Sequence, residues 1–209
     1  MNGTTTAALL ALSLAMATAA TAQTAPAADA AAAPAAETAA AAAAPAAPAS
    51  AVPTKLNLPG GEMDLTPDHM EHGRWYNAEG IPVFKIENGE LDYASFSGYR
   101  RYHAECHVCH GPDGEGSTYA PALKDSVTKT MDYYKFQEIV ASGKQNVGSG
   151  QANQVMPAFG TNRNVWCYVD DIYVYLLAHG TGAIPRGRPA NKASKSDDFA
   201  AQEAACMDG

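Results

Sequence analysis

Positive charge is scarce in this chain, and scarcest where it begins. Fourteen Lys and Arg stand against 22 Asp and Glu, a formal net charge of −8. That balance argues against nucleic acid as a partner and favours proteins that present a basic face. Residues 1–22 hold no Lys or Arg at all. Long apolar runs are missing too: residues 7–19, AALLALSLAMATA, fall short of the roughly 20 residues a membrane-spanning helix needs. Internal repeats are absent. Cysteine is limited to four residues, none of them near position 22, which excludes a lipid anchor on a cysteine there.

What the first residues do contain is an export pattern. A short apolar stretch leads into the small-residue site Ala20-Thr21-Ala22, predicting a signal peptide over 1–22 and export to the periplasm. The missing basic residues leave an uncleaved anchor as the alternative, and only then would a membrane be a partner. Residues 23–53 are almost entirely Ala and Pro with a few Thr and Ser, interrupted at Pro26, Pro34, Pro45, Pro48 and Pro53. Such a run breaks helix and buries nothing, so it reads as a semi-rigid tether. The remainder suits one domain.

Within it, Cys106-His107-Val108-Cys109-His110 is the arrangement that attaches one c-type haem. Two thiols three positions apart can add across the vinyl groups, and His110 then lies beneath the iron. A redox CxxC or half of a zinc site are the alternatives open to the same residues. Gly98, Tyr102 and Cys106 recur every four residues, predicting one helix face, with Tyr102 packed beside the haem. A last helix is predicted over Val165–Gly180, capped by Asn162 or Asn164 at its start and by Gly180 at its end. It is expected to cross the first near Gly98, with Tyr175 filling the notch. Met131 to Ala141 reads as a shorter helix ended by Gly143, and Gly148-Ser149-Gly150 as a loop. Ahead of the haem motif, two short runs flank Asn88-Gly89, which predicts a β-hairpin within an extension spanning 54–92, with Trp75 and Tyr76 packed on it. The domain that carries the haem motif then covers 93–180 and a polar tail 181–209, expected to be tethered by a disulfide.

The iron's sixth position decides between electron transfer and ligand chemistry. Met156, pinned by Pro157 in a loop, is the best candidate, because a thioether raises the potential relative to a second histidine. Met131 is the rival methionine, and His72, His103, His107 and His179 are the rival imidazoles. The other ring nitrogen of His110 needs an acceptor, and the Pro121 carbonyl stands in the right stretch for it. In an exported protein Cys167 and Cys206 are expected to pair, a closure that contributes about 3–4 kcal/mol by loop entropy. Arg186, Arg188, Lys192 and Lys195 form a basic stretch that either docks a partner or stays solvated.

Gly98-x3-Tyr102-x3-Cys106-x2-Cys109-His110, Pro121-x-Leu123 and Met156-Pro157 together resemble the class I cytochromes c. The resemblance implies an all-α class I fold, haem on Cys106 and Cys109, and axial ligands His110 and Met156. SGYRRYHAECHVCHGPDG, YAPAL, NQVMPAFGTN and CYVDDIYVYL, with a late cysteine, are similar to the four-cysteine periplasmic cytochromes of methanol metabolism in methylotrophic bacteria. That likeness implies an electron carrier, not an enzyme, serving a quinoprotein alcohol dehydrogenase and a downstream cytochrome or oxidase. A haem peroxidase or a haem-based ligand sensor is the other reading, and each requires a labile sixth ligand.

Overall fold

The structure, a computed structural model, describes residues 52–146, 148 and 154–209. The export segment, all but the end of the Ala/Pro tether and most of the Gly148–Gly150 loop lie outside the described residues. The extension holds more sheet than one hairpin. Strands β1 (Lys55–Leu58) and β2 (Gly61–Asp64) pair antiparallel and bury Leu58 and Met63. Strands β3 (His69–Glu71), β4 (Arg74–Tyr76) and β5 (Pro82–Val83) form a three-stranded sheet in that order. Strands β6 (Ile86–Glu87) and β7 (Glu90–Leu91) flank Asn88 and Gly89, whose φ angles of 52° and 77° suit the tight hairpin turn. The apolar run 81–87 therefore splits: Pro82-Val83 pairs backward and Ile86-Glu87 forward. Proline cannot donate to a second neighbour, so β5 ends its sheet. Trp75 and Tyr76 are strand residues opposite Val83 and Pro82, and Lys85, just before β6, lies over the Trp75 ring at 4.2 Å.

The rest of the chain is mostly helical. Asp92 caps α1 (Tyr93–Glu105), accepting from the Ser95 N–H at 2.8 Å while its other oxygen takes the Lys85 N–H at 2.8 Å, so one carboxylate joins hairpin to helix. After α1 come α2 (His107–His110), a 3₁₀ turn at Pro112–Gly114, and α3 (Leu123–Asp125), which continues into a π-helical turn at Ser126–Thr130. Helix α4 (Tyr133–Ser142) starts two residues later than the sequence predicts, because the Asp132 side chain caps it and leaves Met131 extended. The short ribbon β8 (Lys144–Asn146) and β9 (Gln154–Met156) follows.

The last helix of the domain is broken in two, α5 (Arg163–Trp166) and α6 (Val169–Gly180), with Asn162 as the cap. At the break, Cys167 is bonded to Cys206 and the Tyr168 hydroxyl donates to Glu203 at 2.7 Å. Gly180 lies inside the last turn, and Thr181 is the cap. Helix α6 is buried on nearly every side, with Tyr173, Tyr175, Leu176 and Leu177 fully enclosed. It crosses α1 at Gly98, where a Cβ would stand 1.7 Å from the Asp171 carbonyl oxygen and 2.9 Å from the Tyr175 Cβ. Only glycine permits that approach.

Residues 181–209 depart from a solvated tail. Helix α7 (Asp197–Asp208) buries Phe199 completely, its ring edge-on to Tyr93 at 4.9 Å. The basic side chains turn back onto the protein. Arg188 and Lys192 sit over the Phe96 ring at 5.1 and 4.9 Å, Lys195 pairs with Glu203, and Arg186 reaches Asp113 at 3.5 Å. Among the described residues no helix is long and apolar enough to cross a membrane.

Arg74 ties three parts together. Its Nε donates to the Asp171 Oδ1 at 2.6 Å, both side chains being buried, while its guanidinium covers Phe199 at 4.4 Å. Removing one partner of such a pair strands the other's charge in the interior. Arg74→Met is therefore expected to cost about 3–5 kcal/mol in urea unfolding of the haem-loaded protein. Adding Asp171→Asn, which removes the stranded charge, should recover part of that loss; a single variant as stable as the parent would contradict the role of the pair.

Candidate functional site

One large cavity, about 530 Å³, opens between α1, α4 and α6, within the size range of small-ligand and cofactor sites. Apolar side chains dominate its wall: Leu123 beyond the haem motif, Phe136, Ile139 and Val140 from α4, and Val165 and Ile172 from α5 and α6. Into this space the α1 terminus and α2 bring Cys106, Cys109 and His110 together. Of the six histidines in the chain, His110 alone lines it.

The ring of His110 is held from behind. Its Nδ1 donates to the Pro121 carbonyl at 2.9 Å, which fixes the tautomer and leaves Nε2 as the nitrogen with a free lone pair. Burial pushes the His110 pKa down against that hydrogen bond, so the imidazole is neutral and can act as a ligand. As a free thiol, before any haem is attached, Cys106 is pushed up to about 12 by burial. Tyr102 departs from its expected place. It is fully buried but does not line the cavity; its hydroxyl donates to the Gly111 carbonyl at 2.6 Å and approaches the His110 carbonyl at 3.2 Å. A side chain one helical turn before Cys106 points to the backbone behind the haem motif, so Tyr102 braces the proximal loop.

Met156 reaches the same cavity from β9, and Met131 lines it as well. The Met156 segment is pressed against α4's end: a Cβ on Gly143 (φ 73°) would meet the Met156 carbonyl oxygen at 2.5 Å. The Phe159 and Gly160 N–H groups then donate to the Val140 and Ala141 carbonyls at 2.9 and 3.0 Å. The rival histidines lie elsewhere. His103 and His107 spend Nδ1 on the carbonyls one turn back, Tyr99 and His103, at 2.9 and 3.1 Å. His72 is in the β3–β4 turn, and His179 is buried on α6 against Tyr175 with neither ring nitrogen bonded. Cys167 and Cys206, bonded with their Cα atoms 5.8 Å apart, stand off the cavity.

Two functional positions carried no clear sequence signal. The first is Asp113, whose carboxylate accepts from the Tyr175 hydroxyl at 3.1 Å and the Gly187 N–H at 3.2 Å. Burial works to raise its pKa, but these bonds and Arg186 hold it below the ordinary value. It locks the loop after His110 to α6 and to the chain beyond it. The second is the Ser117–Tyr119 turn, whose residues precede Pro121 and have no periodicity to mark them.

This donor set suits haem. Among the described residues no three His, Cys, Asp or Glu side chains converge as a metal cluster, so zinc would lack its ligands. Two thiols, one oriented imidazole and a thioether around an apolar space match a covalently held porphyrin with its iron.

Comparison with known proteins agrees. The cytochrome c family matches residues 97–173. The chain is 69% identical over 161 residues to cytochrome c-553I of Paracoccus denitrificans, covering 77% of this chain and 70% of that protein. Cytochrome c-555 of Methylococcus capsulatus is 33% identical over 111 residues, 53% of this chain and 80% of its own length. Among solved structures, the c-type cytochrome XoxG of Methylobacterium extorquens AM1 superposes with a TM-score of 0.61 at 51% identity, covering 68% of this chain and 86% of that one. With a single CxxCH segment feeding this cavity, the chain belongs to the cytochrome c family, as a monohaem electron-transfer protein with covalently bound haem c.

Proposed function

We propose that this cytochrome works in the periplasm as a one-electron carrier between a quinoprotein alcohol dehydrogenase oxidising methanol and a downstream cytochrome or oxidase. The observation that carries the carrier reading is the convergence of Cys106, Cys109, His110 and Met156 on one apolar cavity. When bound, the haem supplies an Fe(III)/Fe(II) couple. Cys106 and Cys109 would anchor it through their sulfurs, and His110, oriented by the Pro121 carbonyl, would hold the iron through Nε2. Met156, which reaches the same cavity from β9, would supply a thioether to the iron and so keep small ligands out. The apolar wall from α4 and α6 limits water, so little solvent rearranges when the charge changes.

The enzyme and sensor readings have less support. Apart from Glu105 and Lys144, the cavity lining has few groups able to shuttle a proton, and His110 is its one imidazole. Met131 remains spatially near, but it precedes the α4 cap in extended backbone, while Met156 carries the Met-Pro pattern of the class I family. Export rests on the segment 1–22, and the methanol link on the likeness of residues 75–209 to the methylotroph cytochromes. The 51% identity to a cytochrome of Methylobacterium extorquens supports that link.

Two measurements check these assignments. In the ferric protein a weak far-red band from sulfur-to-iron charge transfer is expected, and Met156→Ala should abolish it while leaving the haem attached. Persistence of the band in that variant would remove Met156 from the iron. In stopped-flow reduction by a purified quinoprotein methanol dehydrogenase, the second-order rate should fall as salt rises, given the formal charge of −8. Rates indifferent to salt would contradict charged docking, and no reduction at all would contradict this donor.

A further inference from the structure

Among the described residues three attachments hold the Met156 strand, and they differ in where they come from. Pairing with β8 sets Lys144 opposite Met156 and Gln145 opposite Val155. The bonds from Phe159 and Gly160 to Val140 and Ala141 fasten the following residues to α4. Both attachments belong to the distal side. The third is a single phenol: the Tyr119 hydroxyl accepts from the Val155 N–H at 3.0 Å and donates to the Val155 carbonyl at 3.3 Å. It satisfies both backbone groups of the residue next to Met156, taking the place of a neighbouring strand.

Tyr119 is itself wired to the haem motif. The Ser117 hydroxyl donates to the Cys109 carbonyl at 2.5 Å and accepts from the Tyr119 and Ala120 N–H groups at 3.0 and 3.1 Å. Ala120 in turn precedes Pro121, the acceptor for His110. Among the described residues, the two bonds of the Tyr119 hydroxyl are the only hydrogen bonds that join the segment 106–125 to the segment 154–160. Tyr119 and Val155 are 39% and 43% exposed, so this tie lies at the open side of the cavity.

We infer that Tyr119 is a positioning residue for the sixth ligand: its hydroxyl latches the Met156 strand to the proximal loop and sets how often Met156 leaves the iron. The inference rests on Met156 being that ligand. An external ligand can bind only in the fraction of molecules whose sixth position is vacated, so its apparent affinity reads that fraction directly. Breaking the latch lets β9 swing out on its remaining attachments while the cavity wall and the His110 side stay as they are.

The test is imidazole titration of the ferric, haem-loaded protein, with the far-red sulfur band recorded in parallel. Tyr119→Phe keeps the ring and removes the hydroxyl. Imidazole should bind about tenfold tighter, the size expected for losing the two bonds of one hydroxyl, while the band persists before imidazole is added. Tyr134→Phe, at an exposed tyrosine, is the control and should match the parent. If the parent shows the band and Tyr119→Phe binds imidazole no more tightly than the parent, the latch is wrong and the Met156 assignment stands. If the parent lacks the band, Met156 is not the ligand and the inference falls with it. If Tyr134→Phe shifts affinity as much as Tyr119→Phe, the effect is general loosening and the latch is again contradicted.

Discussion

Helices α1 and α6 cross so closely at Gly98 that the Asp171 carbonyl occupies the space where a side chain would begin. The rest of the molecule depends on this contact. It fixes the direction of α1, and the end of α1 delivers Cys106, Cys109 and His110 to the cavity. It also places Asp171 where Arg74 can neutralise it and where Phe199 can cover the guanidinium. Extension, haem domain and C-terminal helix are thus built around one crossing, and α6 can be apolar on nearly all sides because each of them covers part of it.

From that crossing the site follows in steps that each restrict motion. The buried Tyr102 hydroxyl and the Asp113 carboxylate hold the loop after the haem motif from two sides. The Pro121 carbonyl then orients His110, and the ring's burial keeps it neutral. For a carrier this rigidity is the useful property: the less the surroundings move when the iron gains or loses an electron, the smaller the barrier to transfer. The basic residues beyond α6 serve the same end. Turned onto Phe96, Glu203 and Asp113, they are part of how the protein holds itself together.

How much of this was legible in the sequence depended on the range of the interaction. Gly98, Tyr102 and Cys106 announce a helix face because the helical period is local, and Asn88-Gly89 announces a turn because only a few residues tolerate its backbone. Periodicity gives a face and not what the face meets, so it does not foretell that the Tyr102 hydroxyl bonds the Gly111 carbonyl. The extension's other two sheets, β1–β2 and β3–β4–β5, and α7 were largely invisible. Strands of two to four residues carry too little alternation, and α7 is weakly apolar, held by one buried phenylalanine, a disulfide and side-chain bonds to Tyr168 and Arg163. Tyr119 and Val155 stand 36 residues apart and meet through one hydroxyl, a relation that no local pattern records.

The central claim is that this cavity holds a closed, six-coordinate haem that passes electrons and excludes ligands. Exposure of the reduced wild-type protein to carbon monoxide at neutral pH tests it most directly. The account predicts a visible spectrum unchanged by the gas, because the sixth position is filled in nearly all molecules. Prompt, stoichiometric formation of a carbon monoxide adduct would contradict it and return the protein to the ligand-binding class.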